Sequence, residues 1–100
     1  MLATIQEEYD IVELDVFVGK PGDPREFMVH VGARLQVWPG FFELLCRNTV
    51  HPVVSLNEAR FSRFDRRTMD VFTSARDYRI FFDSVFDLVE FWHTIIIEPK

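Results

Sequence analysis

Residues 53–98 read VVSLNEARFSRFDRRTMDVFTSARDYRIFFDSVFDLVEFWHTIIIE and contain neither glycine nor proline. Because these two residues are the strongest local interruptions of regular structure, the stretch should be nearly continuous secondary structure. Seven of the eleven phenylalanines of the chain lie in it. Buried aromatic side chains dominate the energetics of cores and interfaces, so this stretch should hold much of the core and is a candidate for an interface.

The end of this stretch predicts an amphipathic helix over residues 84–97. Ser84 and Asp87 resemble a capping box in which Asp replaces Glu. The apolar side chains that follow spread over roughly two-thirds of the helix circumference, about twice the arc that packing on a single sheet requires. We therefore expect the helix either to lie between two layers or to share its outer face with another chain.

Residues 56–82 allow two interpretations. A capping-box pattern at Ser55–Glu58 predicts a short helix over residues 56–66. The β-rich composition on both sides of Thr73–Asp77 predicts a hairpin there. Apolar spacings of three and four also fit helix throughout this region. We favour the short helix and the hairpin, because an uncapped helical pattern longer than about 25 residues is unusual in a small domain.

The first half of the chain predicts an antiparallel β-hairpin. The turn falls at Gly19–Pro24, which combines glycines, prolines and an aspartate, and the second strand resumes at Phe27–Val31 and continues toward Val37. A short helix is predicted over residues 41–47 from its apolar spacing. The first strand alternates with period two. One face carries Val12, Leu14, Val16 and Val18, and the other, on which the two acids should be solvated, carries Ile11, Glu13, Asp15 and Phe17.

These patterns predict an α+β fold over residues 1–100, which is the usual length of one domain. An N-terminal antiparallel β-hairpin or small sheet packs against the aromatic-rich C-terminal helix; the alternative is the same hairpin with a mostly helical C-terminal half. Truncation of Phe86 to alanine is expected to cost roughly 3–5 kcal/mol. The expected core comprises Val12, Leu14, Val16, Phe27, Val29, Leu45, Phe82, Phe86, Val89 and Trp92.

Cysteine usage and hydropathy predict a soluble, cytoplasmic protein. A single cysteine, Cys46, excludes an intramolecular disulfide framework, and small secreted domains usually carry disulfides. The first residues lack the charged-then-apolar pattern of a signal peptide. No apolar run approaches the roughly 18–20 residues that cross a bilayer, so we expect no membrane association.

No pattern in the sequence predicts an enzyme. Gly19 and Lys20 lack the other residues of a phosphate-binding loop. Glu90 and His93 form a single pair, whereas di-iron bundles need that pair twice and two further glutamates. Cys46 lies among apolar residues, as an inert packed thiol does. We therefore expect no catalytic residue, no cofactor and no metal site.

The net charge of −5 is unevenly distributed. Residues 1–26 and 81–100 are acidic, whereas residues 58–80 carry an excess of arginine. Arginine suits carboxylate and phosphate recognition because its guanidinium group binds such ligands bidentately. The arginine cluster comprises Arg60, Arg63, Arg66 and Arg67. On the predicted helix, Arg60, Arg63 and Arg67 would lie within about 60° of one another.

We interpret the chain as a small acidic protein-binding module of the inhibitor, immunity or adaptor kind. It lacks a catalytic constellation, and aromatic residues and arginine are enriched at binding hot spots. One alternative is a structural subunit that forms a homo-oligomer through the C-terminal helix. Another is nucleic-acid contact through the arginine cluster, which the negative net charge disfavours. The expected partner-binding residues are Arg60, Arg63, Arg66, Arg67, Glu13, Asp15, Phe91 and Trp92.

Overall fold

The computed structural model describes residues 7–20, 23–46 and 52–97. In that part of the chain seven strands precede one helix. The elements are β1 (Glu7–Lys20), β2 (Asp23–Trp38), β3 (Phe41–Leu45), β4 (Val53–Ser55), β5 (Arg60–Arg63), β6 (Thr68–Phe72), β7 (Arg76–Phe82) and α1 (Val85–Ile97). The strands form a single sheet in the order β4-β3-β2-β1-β7-β6-β5, and every neighbouring pair is antiparallel.

The sheet curls until its two edges approach each other. β3 and β5 are five positions apart in the strand order, which corresponds to roughly 24 Å in a flat sheet. Nevertheless, the ring centroids of Phe42 on β3 and Phe61 on β5 are 6.2 Å apart. The sheet is therefore a half-barrel with a concave side and a convex side.

Helix α1 lies in the concave side, and Phe91 is its central contact. The Phe91 ring is fully buried. It packs edge-on against Tyr9 of β1 at 6.1 Å and Phe42 of β3 at 5.6 Å between centroids. Phe61 of β5 and Phe82 of β7 lie 6.3 and 5.4 Å away. One helical residue thus contacts four strands drawn from both halves of the sheet, and this packing holds the curl.

The inward-facing alternation changes phase in the middle of β1 and β2. Ile11 and Leu14 are both buried although they are three residues apart, because β1 carries a β-bulge against β7 between Ile11 and Glu13. β2 changes phase at Gly32, whose φ of 73° is a left-handed conformation that glycine adopts without steric cost. Val12, at the bulge, is turned outward and is 49% exposed.

The predicted α+β fold is wrong, because the chain is mostly β. Residues 41–47, predicted as helix, contain β3, and residues 56–66 contain a turn and β5. The alternative with a mostly helical C-terminal half is wrong for the same reason. β3 buries alternate residues, Phe42 and Leu44, so period two governs this short segment even though its apolar spacing also fits a helix.

Three predicted elements are confirmed by the structure. β1 and β2 form the N-terminal hairpin, and β6 and β7 form a hairpin around residues 73–75. Helix α1 begins at Val85, one residue after the predicted start, and Ser84 caps it by accepting a hydrogen bond from the backbone N–H of Asp87 at 3.2 Å.

The core is partly as predicted. Leu14, Val16 and Phe82 are buried, Leu45 is half-buried, and Trp92 packs partly buried against the core. The side chain of Phe27 lies outside the described residues. The prediction of burial is wrong for four residues, which are exposed: Val12, Val29, Phe86 and Val89. The first two face outward after the phase change, and the other two lie on the side of α1 that faces away from the sheet.

Within the described ranges, no helix is long and apolar enough to cross a membrane.

Candidate functional site

Charged side chains form a row across the convex side of the sheet. The strand register places Asp15 of β1 opposite Arg79 of β7, and Arg79 opposite Asp70 of β6. Directly opposed residues point to the same face, so all three side chains project from the convex side. Arg79 donates from Nε to Asp70 Oδ1 at 2.8 Å and from Nη2 to Oδ2 at 3.1 Å. This bidentate pair fixes the guanidinium group on Asp70.

Phe64 covers the Arg79 guanidinium group from outside. The ring centroid of Phe64 lies 3.8 Å from Cζ of Arg79, a cation–π arrangement. The loop that carries Phe64 is anchored because the Phe64 N–H donates to the carbonyl of Thr68 at 3.0 Å. The Phe64 side chain is still 55% exposed, so a further molecule can contact it.

Asp15 lies beside this pair and is buried with incomplete hydrogen bonding. It is 8% exposed, and its Oδ1 has no hydrogen-bond partner in the described part of the chain. Desolvation raises the pKa of Asp15 to about 6; the neighbouring Glu13 carboxylate adds to this rise and Arg79 opposes it. A buried polar atom without a partner costs free energy. Carboxyl groups with such perturbed pKa values concentrate at functional sites.

Apolar side chains surround the two carboxyl groups. On β2, Val31 lies opposite Glu13 and Val29 opposite Asp15, and they are 70% and 46% exposed. On β7, the half-buried Phe81 lies opposite Glu13. Exposed apolar side chains grouped around charged ones are typical of interaction sites. We call this surface the convex patch, formed by Glu13, Asp15, Val29, Val31, Phe64, Asp70, Arg79 and Phe81.

The structure divides the four arginines predicted to bind a partner between a strand and the loop that follows it. Arg60 and Arg63 lie on β5, at an edge of the sheet. Because they are three residues apart, they point to opposite sides of that strand. Arg66 and Arg67 lie in the loop between β5 and β6. The prediction that a helix brings these side chains together is therefore wrong, since the segment is a strand followed by a loop.

Arg63 and Arg67 instead hold the loop that carries Phe64. The Arg63 guanidinium group donates to the carbonyl oxygens of Asp65 and Arg66, both at 3.3 Å. The backbone N–H of Arg67 donates to Asp65 Oδ1 at 3.0 Å. The Arg63 side chain therefore has a structural role next to the convex patch, whereas Arg67 contributes its backbone N–H.

The remaining predicted site residues divide between surface and core. Glu13 and Asp15 lie on one side of β1, in the convex patch, as strand alternation predicts, but Asp15 is buried and not solvated as expected. Phe91 is fully buried at the centre of the aromatic cluster, so it supports the fold and offers no surface for direct contact. Trp92 is half-buried against the core.

Sequence reasoning missed Phe64, Asp70 and Arg79 as site residues. A partial signal exists for the last two, because Asp70 and Arg79 flank the hairpin predicted at residues 73–77 and opposed residues of opposite charge attract, although the predicted turn is one residue out of register with their pairing. The position of Phe64 depends on the loop conformation, and a single sequence carries no comparable signal for it.

A cleft of about 310 Å³ borders the convex patch. It lies between the bulge of β1 and the loop after β5, and its lining residues include Val12, Arg67 and Phe81. Phe81 belongs to both surfaces, so a molecule bound on the convex patch could place an apolar side chain in the cleft.

No protein-family model and no curated protein matches this sequence.

Proposed function

We propose that this chain is a protein-binding module of the inhibitor, immunity or adaptor kind, and that a protein partner docks on the convex patch. The observation that carries the proposal is the buried Asp15, whose Oδ1 has no partner in the described chain, beside exposed Val29, Val31 and Phe64. Both features are unfavourable in the isolated molecule. A partner that covers the patch removes this apolar surface from water.

The charges of the patch support a protein partner over a nucleic acid. Three carboxyl groups, on Glu13, Asp15 and Asp70, stand against one guanidinium group, on Arg79, which Asp70 already pairs. Phosphate recognition requires several converging cations. The patch therefore repels a phosphate backbone and suits a surface that is apolar or cationic.

A second candidate function is a structural subunit that self-associates through the outer side of α1. Phe86 and Val89 lie one helical turn apart on this side and are 81% and 38% exposed. Sedimentation at micromolar concentration distinguishes the two functions. A stable multimer that Phe86→Glu dissociates would favour self-association, and a monomer favours a separate partner.

The proposal also includes a cytoplasmic location and no catalytic role. The single cysteine supports a reducing compartment, since small secreted domains usually carry disulfides and one cysteine cannot form one within the chain. Surface docking needs no cofactor.

Affinity capture from the native host tests the proposal with two matched variants. Val31→Glu introduces a charge into the convex patch, whereas Val53→Glu introduces the same charge at a valine of β4 that lies outside the patch and is 60% exposed. We expect the wild type and Val53→Glu to retain the same partner and Val31→Glu to lose it. Equal capture by both variants would show that the partner binds elsewhere.

A further inference from the structure

We propose that the outer edge of β5 binds an extended, acidic segment of another protein, which adds to the sheet as a further strand. This edge lies outside the convex patch, so the inference goes beyond the proposed function and stands whether or not that patch binds a partner.

The outer side of β5 presents backbone groups that no strand pairs. β5 ends the sheet and pairs with β6 alone. The Phe64 N–H donates to the carbonyl of Thr68 at 3.0 Å, in the same register as the β5–β6 pairs. Because hydrogen-bonded and non-hydrogen-bonded pairs alternate in an antiparallel ladder, Phe61 and Arg63 direct their N–H and C=O groups away from β6. These two donors and two acceptors have no partner in the described part of the chain, and such an edge is a template for another strand.

The edge is ordered and open to solvent. Arg60, Ser62 and Arg63 are exposed, and Phe61 is half-buried. The Phe61 ring packs edge-on against Phe91 of α1, with 6.3 Å between centroids. β5 is thus held by the core on one side only. An incoming segment therefore meets a strand that is already fixed, which reduces the conformational cost of pairing.

The charge of β5 favours an acidic segment. Arg60 and Arg63 are its charged residues. Within the described ranges, no carboxylate is close enough to form an ion pair with either guanidinium group. Arg63 donates instead to two backbone carbonyls of the next loop, which keeps its positive charge near the end of β5. Carboxylates of an added strand would neutralise charges that the described chain leaves unpaired.

Other occupants fit this edge less well. Pairing of β5 with β5 of a second copy would bring like charges together, which is unfavourable between neighbouring strands. β4, the outer strand at the other end of the sheet, carries no acidic residue that could compensate. A nucleic-acid backbone presents phosphate oxygens, which accept hydrogen bonds and cannot donate to the carbonyl groups of the edge. A peptide strand presents donors and acceptors in alternation.

Strand pairing also fixes the side-chain pattern of the segment. Residues directly opposite each other in a sheet point to the same side. The residue opposite Phe61 would lie on the concave side, next to an aromatic ring, and should be apolar. The residue opposite Arg60 would lie on the convex side and should be aspartate or glutamate. The segment therefore contains an acidic residue directly adjacent to an apolar one.

Selection from a random peptide library on the immobilised protein at pH 7.5 and low salt tests the inference. We expect the selected peptides to share the adjacent acidic and apolar residues. N-methylation of single peptide amides then tests strand addition. Methylation of every second amide should lower the affinity at least about tenfold, because it removes a donor and places a methyl group against the edge. The intervening amides point away from β5, and their methylation should have little effect.

Two arginine variants test the charge of the edge. Arg60→Ala should lower the affinity of the peptides about threefold, as expected for loss of an exposed ion pair. Arg34→Ala is the matched control, because Arg34 is also an exposed arginine of a strand but lies on β2. It should bind the peptides as the wild type does.

The outcomes separate this inference from the proposed function. Peptides that are lost in Val31→Glu but tolerate Arg60→Ala and N-methylation would bind the convex patch, which would overturn the inference and leave the proposed function standing. Alternating sensitivity to N-methylation without an effect of Arg60→Ala would exclude the β5 edge and also overturn it. No enrichment of acidic peptides would do the same. Since N-methylation changes only the peptide, that part of the test does not depend on how a variant folds.

Discussion

Asp15 is the residue at which stability and function are expected to conflict. Its carboxyl group is buried beside Glu13, and desolvation raises its pKa to about 6. The folded state therefore holds the proton more tightly than the unfolded state does. The contribution of Asp15 to stability is fully present below its ordinary pKa and is lost as the pH rises toward about 6.

Replacement of Asp15 by asparagine should consequently stabilise the protein at neutral pH. We expect the free energy of unfolding to rise by up to about 3 kcal/mol at pH 7.5, with a smaller gain at pH 5, because a shift of one pKa unit corresponds to about 1.4 kcal/mol. Urea unfolding at both pH values measures this effect. Asp83→Asn should change little, and a loss of stability in Asp15→Asn at pH 7.5 would contradict the prediction.

Among the elements, α1 combines one essential contact with one exposed side. Phe91 touches four aromatic residues of the sheet, whereas Phe86 is 81% exposed. Both are phenylalanines of the same helix, so they form a matched pair for mutagenesis. Phe91→Ala should cost roughly 3–5 kcal/mol or unfold the protein. Phe86→Ala should cost under about 1 kcal/mol, in place of the larger loss expected from the sequence.

Thermal and urea unfolding of both variants measure this difference. Equal losses would mean that the outer side of α1 is covered, as it would be in a homo-oligomer. The same experiment therefore also bears on the second candidate function.

The elements differ in how far the sequence predicts them, and the reason is physical. The long β1–β2 hairpin, the β6–β7 hairpin and α1 carry many repeats of one period and clear turn or capping residues. β3 and β5 are five and four residues long, too short for periods of 2 and 3.6 to be told apart. The outward turn of Val12 follows from a bulge against β7, so it depends on a distant strand and not on local residues.

The sequence likewise predicts only part of the candidate site. The side on which Glu13 and Asp15 lie follows from strand alternation. Arg79 lies next to them because β1 pairs with β7. Phe64 lies next to them because the loop after β5 places its ring over Arg79. These are tertiary contacts, for which a single sequence provides little signal.

For the molecule as a whole, the charge distribution argues against nucleic-acid binding. The net charge is −5, and the four arginines of residues 60–67 are divided between two sides of β5 and a loop. We expect no measurable affinity for duplex DNA or RNA at physiological salt, because few phosphates can be neutralised at once. Fluorescence anisotropy tests this expectation. A micromolar dissociation constant that Arg63→Glu with Arg67→Glu abolishes would contradict it.

The contact of Phe91 with both halves of the sheet has a consequence for the order in which the chain can fold. The pairing of β1 with β7, in which Leu14 lies opposite Ile80, can form only after β7 has been synthesised. The concave side can be filled only after α1, which follows the seven described strands. During synthesis from the N-terminus, the long β1–β2 hairpin therefore forms while the apolar side chains of its concave face are still exposed to water. Such late, long-range pairing slows folding and prolongs the exposure of aggregation-prone surface. A chain released just before α1 would contain the seven described strands but lack the helix that fills the concave side of the sheet.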